Sequence, residues 1–229
     1  MLFDFKGYTY DSNEVTEKLA PFLTAERLAR IEDVISKRTR NFIPVMEKIF
    51  DQGNINAVFR SAEAMGFQDV HMVDNHKIKI STRISKGSDK WLNVKQWQDT
   101  KSCFENLRSQ GYKILVTHLD ASAKSIYDWD FSQKTALVFG SEGFGVSPEA
   151  VAMADQTVIL PMEGFTQSYN ISVAAALCMF YVNQQRKLRL GSNADLSLDE
   201  KRLLTASYYL RTCNETMKPL ADSLRKEKL

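Results

Sequence analysis

Apolar positions fall into two rhythms along the middle of the chain. Residues 41–46, 69–73, 113–118, 135–139 and 156–160 are short runs rich in β-branched, aliphatic and aromatic side chains, the pattern of strands buried on both faces. Between and after them lie 55–65, 102–110, 148–153 and 171–185, where apolar residues recur every three or four positions, as on a helix with one buried face. Strands separated by helical segments predict an α/β domain built on a mainly parallel, doubly wound sheet. Before this core, Thr24 caps a predicted helix over 25–35 that carries Leu28, Ile31 and Ile35 on one side. After it, a polar stretch at 190–195 leads to a further predicted helix over 198–214 and a charged tail. The expected organisation is an N-terminal helical extension (1–40), a core domain (41–190) and a C-terminal helical extension (191–229).

Composition narrows the class. With 229 residues, 44% hydrophobic and 25% charged, the chain can bury a core without staples, which excludes a disordered or fibrous protein. Three cysteines (Cys103, Cys178, Cys213) without a C-x-x-C pair argue against a disulfide framework or zinc ribbon. His71, His76 and His118 lack metal-ligand spacing, so no metal is expected. The opening residues lack a signal-peptide pattern, and the longest apolar run, 173–182, is about half of the ~20 residues a spanning helix needs. A cytoplasmic protein without a membrane anchor is therefore expected. The net charge is only +2, but residues 77–95 carry six Lys/Arg against a single acid, Asp89. A second excess of base runs from Arg186 onward. Basic patches on a nearly neutral chain suit a localised polyanion footprint, or simply a solvated basic face.

Three segments ask for more than folding. In Gly53-Asn54-Ile55-Asn56-Ala57-Val58-Phe59-Arg60, Asn54 is a good N-cap and Gly66 a good stop. Ile55, Val58, Phe59 and Ala62 then form the buried stripe, with Asn56, Arg60 and Glu63 together on a polar face. In 136–148, a hydrophobic strand runs into Gly140-Ser141-Glu142-Gly143-Phe144-Gly145, followed by Ser147 as N-cap and Pro148 at the first helical position. The glycine spacing fits neither a dinucleotide fingerprint nor a Walker loop, which disfavours a nucleotide-dependent oxidoreductase. In 159–176, a strand ends in a Pro/Gly loop, and Ser168 or Asn170 caps a helix rich in small residues. Close helix packing explains the alanines but not the polar Gln167-Ser168-Tyr169-Asn170 group.

Together, Asn54-x-x-Ala57-x-x-Arg60, then Gly140-Ser141-Glu142-x-x-Gly145, then Leu160-Pro161-Met162-x-Gly164-x-x-x-Ser168-x-Asn170-x-Ser172-x-Ala174 closely resemble the three ordered motifs of the SpoU-type (SPOUT) RNA 2′-O-methyltransferases. The flanking Leu23-Thr24-Ala25-Glu26-Arg27, Ser88-Asp89-Lys90-Trp91 and Thr117-His118-Leu119 resemble the branch that acts on guanosine 18 of tRNA. The resemblance implies a C-terminal deep trefoil knot, S-adenosyl-L-methionine as cofactor, tRNA as partner and a homodimer with helix 171–185 in its interface. Carried over by position, Arg60, Asn54, Glu142, Ser168 and Asn170 are the implied catalytic residues, and Thr117, Gly140, Leu160 and Tyr169 the implied cofactor contacts. Arg60 is implied as base or as the group holding the acceptor. A guanidinium stays protonated, so stabilising a developing alkoxide is the better role. Phosphate contacts are expected from Arg27, Arg30, Lys37, Arg38, Arg40, Lys86 and Lys90. Trp91 and Trp97 are candidates for base stacking or for the core. Alternatives in substrate are ribosomal RNA or another tRNA position, and outside catalysis an RNA-binding factor that keeps the fold.

Overall fold

The structure is a computed structural model and describes residues 1–75, 87–141, 143–166 and 168–226. The chain divides into two units, one made of residues 1–38 with 194–229 and the other of 39–193. The two extensions expected from the sequence are thus one body, and the core runs to 193.

The first unit begins with strands β1 (Leu2–Phe5) and β2 (Tyr8–Asp11), an antiparallel hairpin. Its turn is Lys6-Gly7, with φ of 50° and 84°, the left-handed pair that a tight primed turn requires. Helices α1 (Ser12–Leu19) and α2 (Ala25–Ile35) follow. Asp11 caps α1 through Asn13 N and Glu14 N, and Thr24 caps α2 as expected. Tyr10, Val15 and Leu19 meet Ala206 and Leu210 from the later helix Leu198–Thr212, which explains why both chain ends share one core. The hairpin and α1 escaped the helical reading of the N-terminus, because each is too short to set up a period.

In the second unit, strands β3 (Phe42–Glu47), β4 (Asp69–Val73), β5 (Asn93–Trp97), β6 (Lys113–Thr117), β7 (Lys124–Ser125), β8 (Thr135–Phe139) and β9 (Gln156–Ile159) form a parallel sheet in the order β5-β4-β3-β8-β6-β9-β7. Side chains alternate across it. Phe42, Met46, Leu115, Leu137 and Phe139 point to one face, with α3 (Gln52–Ala64) and α6 (Ile171–Leu190) supplying Ile55, Phe59, Met179 and Val182. Ile43, Val45, Ile114, Val116, Ala136 and Val138 point to the other, against Cys103, Phe104 and Leu107 of α4 (Thr100–Ser109) and Ala150 of α5 (Pro148–Met153). Both faces are therefore dry, and the strands read as continuous apolar runs. Pro44 is tolerated in a buried strand because β4 pairs only from Val45 onward.

The doubly wound α/β expectation holds, with differences at the ends of elements. β5 was not anticipated. Helix α6 continues five residues beyond 185 and stops at Gly191, whose φ of 76° ends it in the left-handed conformation. The remaining helices, α7 (Leu198–Thr212) and α8 (Lys218–Ser223), belong to the first unit.

Candidate active site

Thr117, Gly140 and Leu160 lie at or just beyond the carboxyl ends of β6, β8 and β9, three neighbouring strands. In open α/β sheets this end gathers ligands, because the strand-to-helix loops splay there. The Thr117 hydroxyl donates to Val138 O at 2.9 Å, which fixes its orientation against the next strand. At Gly140 an added Cβ would lie 2.1 Å from Gly145 C and Val146 N, so only glycine fits. The loop closes on itself there: Ser141 N donates to Gly145 O at 3.1 Å, and Gly145 N to Ser141 O at 2.8 Å. The glycines thus serve the loop's own packing, with Gly145 at φ +66°.

Glu47, which the sequence reading did not single out, holds this loop in place. It is 1% exposed at the end of β3 and accepts from Ser147 N and Ser147 Oγ, both at 2.7 Å, and from the Thr100 hydroxyl. Ser147 Oγ in turn accepts from Ala150 N, capping α5 as expected. Thr100 opens α4, so the carboxylate faces the first residues of two helices, where their dipoles favour negative charge. A lone acid ending an apolar strand was the available signal.

The first and third motifs meet directly. Asn170 Nδ2 donates to Asn54 Oδ1 at 3.2 Å, joining residues 116 apart in sequence. Asn170 Oδ1 also accepts from Ser172 N and Val173 N, so Asn170 rather than Ser168 caps α6. Asn54 is not the N-cap of α3. Asp51 takes that role, accepting from Asn54 N at 2.7 Å, and places Asn54 inside the first turn with its side chain turned to Asn170. The expected polar face is also corrected: Asn56 is fully buried and donates to Gln52 O, while Arg60 is exposed and makes no ion pair among the described residues. Ser168 and Tyr169 are exposed on the loop before α6. Glu142 and Gln167 lie outside the described residues.

The basic residues separate into groups. Arg27 and Arg30 are exposed on α2, and Lys37 is exposed just past its end; Arg30 and Lys37 share Asp33. Arg40 is half-buried beside Asp69. Arg38 is 1% exposed, and a guanidinium so enclosed cannot reach a phosphate, which removes it from the RNA-facing set. Lys90 lies over the Trp91 ring. Lys86 and the rest of 76–86 are outside the described residues. Trp97 turns inward, its indole N–H donating to His71 Nδ1 at 3.2 Å with Lys95 over its ring. Burial, helped by the Lys95 charge, lowers the His71 pKa to about 4. Burial pushes Cys103 and Cys178 up to about 12, so neither is a thiolate nucleophile. Among the described residues no group of three His, Cys, Asp or Glu could hold a metal, and no helix is long and apolar enough to cross a membrane.

A parallel α/β unit with polar residues from two helix starts joined at the carboxyl end of its sheet defines a class of ligand-binding domain, and the comparisons specify which. Residues 41–180 match the SpoU rRNA methylase family. A tRNA (guanosine(18)-2′-O)-methyltransferase of Borreliella burgdorferi is 36% identical over 83% of this chain and 88% of its own. The enzyme of the same description from Escherichia coli is 32% identical over 88% and 86%. Among solved structures, the TrmH/SpoU tRNA modifying enzyme of A. aeolicus superposes with a TM-score of 0.75 at 28% identity, covering 82% of this chain and 98% of that one. AviRb of Streptomyces viridochromogenes, a SpoU methyltransferase solved with the cofactor AdoMet, gives a TM-score of 0.57 at 26% identity over 66% and 60%. The chain belongs to the SpoU methylase family.

Proposed function

We propose that the protein methylates the 2′-hydroxyl of guanosine 18 in tRNA, using S-adenosyl-L-methionine. The observation that carries this reading is the Asn54–Asn170 hydrogen bond, which joins the first and third motifs beside the cradle formed by the ends of β6, β8 and β9. The relatives at 32–36% identity that act on guanosine 18 support the choice of nucleotide.

The residues present fit the cofactor. Thr117, Gly140 and Leu160 offer backbone, one fixed hydroxyl and apolar surface, with no basic side chain among them to oppose a sulfonium. Tyr169, exposed on the loop before α6, is the fourth cofactor contact of this reading. When bound, S-adenosylmethionine supplies a methyl group already activated on sulfur, so the protein's task lies with the acceptor. A ribose hydroxyl is a weak nucleophile until its proton is removed or its developing charge is stabilised. Arg60, exposed and without an ion-pair partner among the described residues, holds the hydroxyl and neighbouring phosphate and stabilises the developing alkoxide, while the hydroxyl proton leaves to solvent by way of that phosphate. Asn54 and Asn170, locked together, align the ribose, with Ser168 and Glu142 completing the set. The reading extends to a trefoil knot around the cofactor loops, a homodimer and work in the cytoplasm. Arg27, Arg30, Lys37, Arg40, Lys86 and Lys90 are its RNA contacts.

The test is methylation of unmodified tRNA with labelled donor, followed by mapping of the modified nucleotide. Label at guanosine 18 is expected. Label at another position selects the alternative substrate, and none on any RNA overturns the enzyme reading.

A further inference from the structure

Between Glu47 and Asp51 the chain does something its neighbours do not require. Glu47 and Ile49 are buried at 1% and 4%, and between and after them Lys48 and Phe50 point outward, Phe50 being 64% exposed. Lys48 has φ +53°, a left-handed conformation that side chains other than glycine and asparagine rarely adopt. Its N–H is held by Val73 O at 2.9 Å, so the turn is fixed by β4, and its ammonium has no ion-pair partner among the described residues. A glycine would make this bend with less strain, and a polar residue at 50 would avoid exposing a ring. The segment leads straight into Asp51, the cap of α3, and so to Asn54 one helical turn on.

We propose that Lys48 and Phe50 grip the RNA at the mouth of the site: Lys48 binds a backbone phosphate, and Phe50 stacks on an unpaired base next to the nucleotide being modified. An unpaired cation beside an exposed aromatic ring is the combination that holds single-stranded RNA, since it serves both the phosphate and the face of a base. The left-handed turn is what brings two outward side chains to one short loop. This deepens the reading of the protein as an RNA methyltransferase and rests on it.

Binding of unmodified tRNA, measured without the methyl donor, separates the two ideas, with turnover read independently. Phe50→Ala should weaken tRNA binding about tenfold or more and raise KM, with Phe50→Trp restoring it. Lys48→Gly suits the backbone and should keep or raise Tm, yet it should weaken binding and lower the salt dependence by about one phosphate contact. S-adenosylmethionine affinity should stay the same in both. Wild type that binds tRNA without methylating it overturns the enzymatic reading alone. Unchanged tRNA affinity and salt slope in both variants overturn the grip, as does a change of oligomeric mass in Phe50→Ala, which would make the ring a contact between copies of the chain.

Discussion

Arg60 and His71 illustrate opposite relations between a side chain and its surroundings. Arg60 projects from α3 without an ion-pair partner among the described residues, so it contributes little to folding. Arg60→Ala should change stability by no more than about 0.5 kcal/mol, as at other exposed positions. Methyl transfer at saturating tRNA should nevertheless fall by a factor on the order of 10² or more, the cost of losing a transition-state donor. Retained turnover would assign catalysis elsewhere. His71 is enclosed, accepts from the Trp97 indole, and is held neutral with its pKa lowered to about 4 by burial and by Lys95. Unfolding returns it to an ordinary value near ~6.5, so the unfolded chain binds the extra proton between these limits. This stabilisation is complete above about pH 6.5 and is lost as pH falls toward 4, in total on the order of 3 kcal/mol. Urea titrations at pH 7 and pH 5 should show the loss in wild type. His71→Gln, which keeps an acceptor for Trp97, should show a smaller acid-side decline.

Helix starts decide which polar groups cap a helix and which reach across to another element. The sequence alone points to Asn54 as the N-cap, because the apolar stripe begins at the next residue. Only the packed structure, in which α3 begins at Gln52, assigns the cap to Asp51 and sets the Asn54 side chain against Asn170. The two substitutions should therefore separate. Asp51→Ala should cost about 1 kcal/mol in denaturation, as lost caps do, and lower activity modestly through fraying. Asn54→Ala should cost less stability and lower kcat far more, with KM for S-adenosylmethionine little changed. Equal effects on stability and kcat in both variants would mean that the asparagine pair is merely structural. The same contrast explains what was legible. The limits of 135–139 and 148–153 were readable because a dry strand and a Ser-Pro start are local signals. The Lys6-Gly7 hairpin, β5 and the Glu47–Ser147 bond were not, since each depends on partners distant in sequence or on segments too short for periodicity. The three motifs were legible as residues, but the Asn54–Asn170 bond emerges only when the sheet brings two helix starts together.

At the scale of the molecule, α6 carries the prediction of assembly. Its inner side joins the core through Ala175, Cys178, Met179 and Val182, whereas Val173, Leu177 and Phe180 stand 46%, 42% and 56% exposed. These three recur at i, i+4 and i+7, one continuous stripe on a helix capped by Asn170. Scattered exposed apolar residues are ordinary, but a stripe that follows a helix face is the form a partner surface takes. A second copy meeting this stripe would bury it beside the cap that holds Asn54, so assembly and active-site order should be coupled. Light scattering at micromolar concentration should give about twice the 26.1 kDa chain mass. Phe180→Glu, which places a charge in the stripe without disturbing the buried side, should shift the mass toward one chain while the circular dichroism spectrum stays native. Methyl transfer should fall with it, because the start of α6 loses its support. A native monomer in wild type would refute the dimer, and a monomeric Phe180→Glu with full turnover would show that the site is complete within one chain.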